Sequence, residues 1–132
     1  MIEAQEIRLG NTLLYKNAGR IATVRVTHAH LEALAAGESA SFFPVVLKPE
    51  ALVGAGFIEN KDYPLLPSAR EFRLVLPVIG KEDNAIMAWL TSAGACFARA
   101  TVNGLPVSVN VHHLHGLQNL FFALTGTEMP LR

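Results

Sequence analysis

The chain has 132 residues, a length that buries roughly two thirds of the unfolded surface and needs neither a metal nor a disulfide staple to fold. Hydrophobic residues make up 51% and charged residues 17%, which excludes an intrinsically disordered chain. The 11 basic and 11 acidic residues cancel without a long run of either sign, so composition excludes the basic footprint that non-specific nucleic-acid or anionic-lipid binding requires.

In chain order, Gly10-Asn11 lies between two short apolar stretches, and this pair tolerates the backbone angles of a tight reversal. Residues 5–9 and 12–16 are therefore expected to pair as strands, and the alternation of 20–26 predicts a third. Thr27 can cap a helix over 28–36, which Gly37 closes. Phe42-Phe43-Pro44-Val45-Val46 reads as strand, and Pro49 opens a second helix that ends at Gly56. Glu59, Lys61, Asp62 and Arg70, interspersed with Pro64 and Pro67, make 58–70 a predicted surface loop. Strands are expected at 72–78, 85–91 and 95–102. Asn103-Gly104 is the strongest hairpin signal, joining 95–102 to 105–111 through a type I′ turn, and Pro106 assigns that last strand to an edge or a bulge. Leu114, Leu117, Leu120, Phe121 and Leu124 repeat at helical spacing before Gly126.

These elements predict one α+β domain over 1–132 built on one core. Its small antiparallel sheets comprise an SH3-like N-terminal group of strands and a C-terminal meander, with three helices of which the last packs on the sheet. Cys96 is the only cysteine, Met1 to Glu6 is acidic where a signal peptide would be basic, and no apolar run reaches about 18 residues. A cytoplasmic, non-membrane protein is expected.

Leu117-Gln118-Asn119-Leu120-Phe121-Phe122-Ala123-Leu124-Thr125-Gly126 carries a resemblance. The chain resembles a family of small uncharacterised proteins, encoded by bacteria and their phages, that end in a His-x-Leu-Gln-Asn-Leu-aromatic-Phe-Ala-Leu-Thr-Gly helix. His115 fits the family histidine, and Gly116 stands where other members often carry Gln. Arg8-Leu9-Gly10-Asn11, and Pro44-Val45-Val46-Leu47 running into Leu52 and Gly56-Phe57, are similar to two further family blocks. The resemblance implies a single domain and, in setting, a phage or mobile-element accessory protein. It implies no activity.

Two constellations could carry function. His112, His113 and His115 could converge on a metal, since imidazoles are common zinc ligands, but no carboxylate lies close in sequence to complete or support such a site. The simpler reading has these imidazoles capping backbone groups at a helix entrance or facing water. His115, Gln118, Asn119 and Phe122 share one helical side away from most of the leucines, which reads either as a binding face or as amides bonded to neighbouring backbone. Cys96 sits mid-strand and reads as an inert core thiol, and neither a nucleophile elbow nor a phosphate loop occurs.

From Asn84 to Thr127 the only formally charged side chain is Arg99, and both faces of strand 85–91 are apolar, with Met87 and Trp89 on one and Ile86 and Leu90 on the other. A homodimer through Met87 and Trp89 follows as an expectation. The function expected is a non-catalytic binding or assembly module, with no cofactor, whose partners are a second copy of itself and a further protein. The alternative is a metal-dependent enzyme built on His112, His113 and His115.

Overall fold

A computed structural model describes residues 2, 4–62, 66, 68–76, 84–93, 95–102 and 105–131. Strands β1 (Thr12–Asn17) and β2 (Arg20–Arg25) form a hairpin in which Thr12 lies opposite Arg25 and Asn17 opposite Arg20. The two residues between them, Ala18 and Gly19, have φ of 51° and 80°. Positive φ at both positions is what a type I′ turn needs, and its twist matches that of the strands. The first reversal therefore falls at Ala18-Gly19, and the expected pairing of 5–9 with 12–16 does not occur. Ala4–Glu6 form a 3₁₀ turn instead. The Asn11 side chain accounts for the difference: its Oδ1 accepts the Arg8 N–H at 2.6 Å and folds residues 8–11 into a local turn.

On the other side of β1 runs β3 (Phe42–Phe43), giving a three-stranded antiparallel sheet of order β2-β1-β3. Helix α1 (His28–Ala35) connects β2 to this side. Its first turn is held by the Thr27 N–H, which donates to His30 Nδ1 at 3.0 Å, an imidazole in the place that Glu or Gln takes in a capping box. Ile2, Ile7, Leu13, Val26, Leu34 and Phe42 close a small core beneath this sheet.

Helix α2 (Pro49–Gly54) has proline in its first turn, where the missing N–H is harmless. After it come β4 (Ile58–Asn60), β5 (Ala69–Val75), β6 (Ala85–Thr91), β7 (Cys96–Val102) and β8 (Leu105–Asn110), an antiparallel meander in sequence order. The expected loop 58–70 thus contains a strand, Ile58 pairing with Arg73 and Asn60 with Glu71. Its charges do not oppose this, because Arg70 Nε and Nη2 donate to the Glu59 carboxylate at 2.9 and 2.7 Å across the edge. β8 is an edge strand, as Pro106 requires. The predicted Asn103-Gly104 turn lies outside the described residues.

One face of the meander supplies Phe72, Ile86, Ala88, Leu90, Cys96 and Ala98 to a larger core. Helix α3 (Leu114–Thr125) covers it with Leu114, Leu117 and Phe121, and Gly126 ends the helix at φ 73°. The described hydrophobic residues therefore form two clusters, not the single core expected. Among the described residues no helix is long and apolar enough to cross a membrane.

Leu117 is fully buried in the larger core. Leu117→Ala is expected to cost about 2–5 kcal/mol in a denaturant melt, the usual loss for a large side chain in a packed interior. A loss below about 1 kcal/mol would contradict the placement of α3.

Candidate functional site

Helical spacing divides α3 lengthwise. Leu114, Leu117 and Phe121 face the meander core, while Gln118 and Asn119 turn toward residues 6–12. Gln118 Oε1 accepts the Thr12 N–H at 2.8 Å, and its Nε2 donates to Thr12 Oγ1 at 3.2 Å. Both residues are buried, so the first residue of β1 is held by the helix side chain. Asn119 Oδ1 accepts from Asn11 Nδ2 at 2.8 Å and from Arg8 Nε at 3.1 Å, and Asn119 Nδ2 donates to the Glu6 carbonyl at 2.9 Å. Arg8 stacks over the Phe122 ring, 4.1 Å from its centroid, and forms an ion pair with Glu128. Gly10 suits this corner for two reasons: its φ is 86°, and a Cβ there would come within 3.0 Å of the Glu128 carboxylate. The segments Arg8–Asn11 and Gln118–Phe122, far apart in sequence, are thus a single polar clasp.

At the start of the same helix lies a cleft of about 320 Å³ lined by Glu6, His112, His113, His115 and Asn119, among others. His113 is the residue before the first helical turn, and its ring stacks on that of His115 with centroids 5.7 Å apart and planes 13° from parallel. Imidazole lone pairs lie in the ring plane, so stacked rings aim them side by side and not at one point. Among the described residues no three His, Cys, Asp or Glu side chains are placed to hold a metal ion. His115 is buried, its Nε2 3.3 Å from Glu6 Oε1. Burial pushes both His115 and His113 below the ordinary imidazole value of 6.5; Glu6 pulls each the other way. The neutral form of these two imidazoles is therefore favoured. His30 belongs elsewhere, packed against Tyr15 and Phe42.

Cys96 is buried in the meander core, and burial pushes its thiol up to about 11, the state of an unreactive cysteine. On the opposite face of the meander Trp89 is only 5% exposed, and its Nε1 donates to Glu71 Oε1 at 2.8 Å. Asn60 Nδ2 donates to the other Glu71 oxygen at 2.6 Å. Met87 is half-buried on that face, where the Arg99 guanidinium lies 5.3 Å from the Trp89 ring. Sequence reasoning missed Thr12 and Glu71 as partners. For Glu71 a signal existed, a carboxylate on the same alternating set of its strand as Arg73 and Val75; for Thr12 there was none. Compared with family models, curated proteins and solved structures, the chain finds no match.

Gln118→Ala leaves the buried Thr12 N–H without its acceptor and is expected to cost about 1–3 kcal/mol. Phe122→Ala loses an exposed cation–π contact and should cost about 0.5–1 kcal/mol in the same melt. Equal losses would show that Gln118 is not the stronger joint. The lowered values of His113 and His115 also fix a sign. Below pH 6.5 the unfolded chain takes up protons that the folded chain refuses, so stability is full above that value and falls on acidification. Melting temperatures measured across the acidic-to-neutral range should decline toward low pH, and His115→Gln should flatten the decline. Parallel profiles for the two proteins would refute this.

Proposed function

We propose that the chain is a non-catalytic binding and assembly module that pairs with a second copy of itself through the outer face of the meander. The observation that carries this reading is a set of large apolar side chains exposed on one side of the sheet. Strand register places Asn60, Glu71, Trp89 and Phe97 in one row of that face and Ile58, Arg73, Met87 and Arg99 in the next. Val75 and Ala85 lead the row after.

Ile58 is 75% exposed, Val75 59% and Phe97 37%, so large apolar side chains on this face meet solvent. Scattered single exposures need no explanation, whereas several on one sheet face mark an interaction surface. Trp89, held by Glu71, forms a rigid floor beneath them, and the exposed rim offers Arg73, a residue type enriched at interfaces. A two-fold pair is the usual way for such a face to be covered. Among the described residues nothing comparable supports catalysis: the His113 and His115 rings stack without converging, and Cys96 is buried. The resemblance of the sequence to bacterial and phage proteins supports an accessory role in a phage or mobile-element setting.

Sedimentation equilibrium at micromolar concentration tests the reading. A dimer is expected for the native chain, and Ile58→Lys combined with Val75→Lys should yield a 14.3 kDa monomer with an unchanged far-ultraviolet spectrum. A native chain that sediments as a single 14.3 kDa species overturns it.

A further inference from the structure

Charge that balances over the whole chain is strongly segregated at its start. Between Glu6 and Glu32 the sequence holds Arg8, Lys16, Arg20 and Arg25 and no carboxylate. Arg8 is used in the clasp with Glu128. Lys16, Arg20 and Arg25 all lie exposed on the β1–β2 hairpin, and among the described residues none of them has an ion-pair partner.

β2 is also an open edge. It ends the sheet order β2-β1-β3, and of its residues all but Val24 are exposed. The phase of its backbone follows from its end: the Val26 N–H donates to the Asn11 carbonyl at 2.8 Å and the Val26 carbonyl accepts from Gly10 at 3.0 Å, so Val26 faces the β1 side. Along an antiparallel strand the direction of these groups alternates residue by residue. Val24, Ala22 and Arg20 therefore face β1, and Arg25, Thr23 and Ile21 turn their N–H and C=O groups outward. The side chains of these three share a face with Lys16, and Ile21 is 61% exposed.

We infer that this edge takes up an extended, acidic segment of a partner protein as a further strand of the N-terminal sheet. Main-chain bonds to Ile21, Thr23 and Arg25 supply the pairing, as in other strand-addition complexes. Arg25 and Lys16 select acidic side chains on the face they share with Ile21, which offers an apolar contact there, and Arg20 selects one on the opposite face. A second copy of this chain fits poorly, since two-fold pairing along the edge would collect Lys16, Arg20 and Arg25 of both copies with no carboxylate between them. The site is separate from the meander face, so its failure and that of self-association are distinguishable.

The test is fluorescence anisotropy of a labelled peptide whose Glu or Asp residues, separated by Val or Thr, fall on both faces of an extended strand, combined with amide hydrogen exchange. Saturable binding is expected, with the Ile21, Thr23 and Arg25 amides protected in the complex. Arg20→Glu with Arg25→Glu should weaken binding about tenfold, the sum of two exposed ion pairs reversed. Thr23→Pro should abolish it, because the lost N–H faces outward and not toward β1; the exchange result stands even where that variant misfolds. Absence of binding overturns the proposal. So does binding that leaves the three amides unprotected, or that an oligothymidylate reproduces equally well, since either would make the hairpin a mere polyanion patch.

Discussion

The Gln118–Thr12 pair is the constraint on which the rest of the arrangement depends. Each of the two hydrophobic clusters is small, and apolar contacts between a helix and a sheet tolerate sliding, because dispersion and burial are not directional. A buried carboxamide with both its oxygen and its nitrogen engaged tolerates very little, since a shift of the helix would strand Thr12 N–H and Gln118 in an interior that cannot hydrate them. That pair sets the rotation of α3 about its axis. Once the rotation is set, Leu114, Leu117 and Phe121 have only the meander to face. The larger core thus inherits its order from a polar joint at its margin.

The clasp also ties sequence-distant ends together. Arg8 meets Asn119, Phe122 and Glu128, and Asn119 meets Asn11 and Glu6, so residues 6–12 are pinned along one side of α3. The histidine cleft is a by-product of the same geometry: Glu6 is brought over the helix start by the bond that its carbonyl accepts from Asn119, and its carboxylate then meets His115. Protonating His115 would strengthen that ion pair but place a charge where burial opposes it, and burial is the larger influence. The His115–Glu6 contact and the polar joint of α3 with β1 are thus features of one contact region.

How much of this was legible depended on the range of the interaction. The α3 leucines and the separate polar side of Gln118 and Asn119 follow from spacing alone, and the α+β class and the C-terminal meander follow from alternation and turn residues. What spacing could not reveal was a partner: Asn119 bonds to Asn11, 108 positions away, and nothing local in either segment names the other. The same Gly10-Asn11 pair that suggests a hairpin serves a local turn, because an Asn side chain can cap its own backbone as readily as it adopts a left-handed angle. β4 was hidden by proline and charge in its neighbourhood, and it exists through its pairing to β5, which is not a property of residues 58–60. Trp89 was legible as an apolar residue on the outer face of its strand. Its tie to Glu71 was not, and that tie turns an expected contact residue into the floor beneath the exposed side chains.

Sheet edges show where this sequence permits association. A free edge invites pairing, and proteins guard edges by keeping them short, by placing proline in them or by charging them. β3 is two residues long and β4 three, and β8 carries Pro106 near its start. Only β2, among the described strands, presents a six-residue edge free of proline. Its guard is charge of one sign, and such a guard is selective where shortness and proline are not. Arginines repel a second arginine-bearing edge yet attract a carboxylate-bearing one, so the device that keeps two copies apart at β2 is also one that chooses what is admitted.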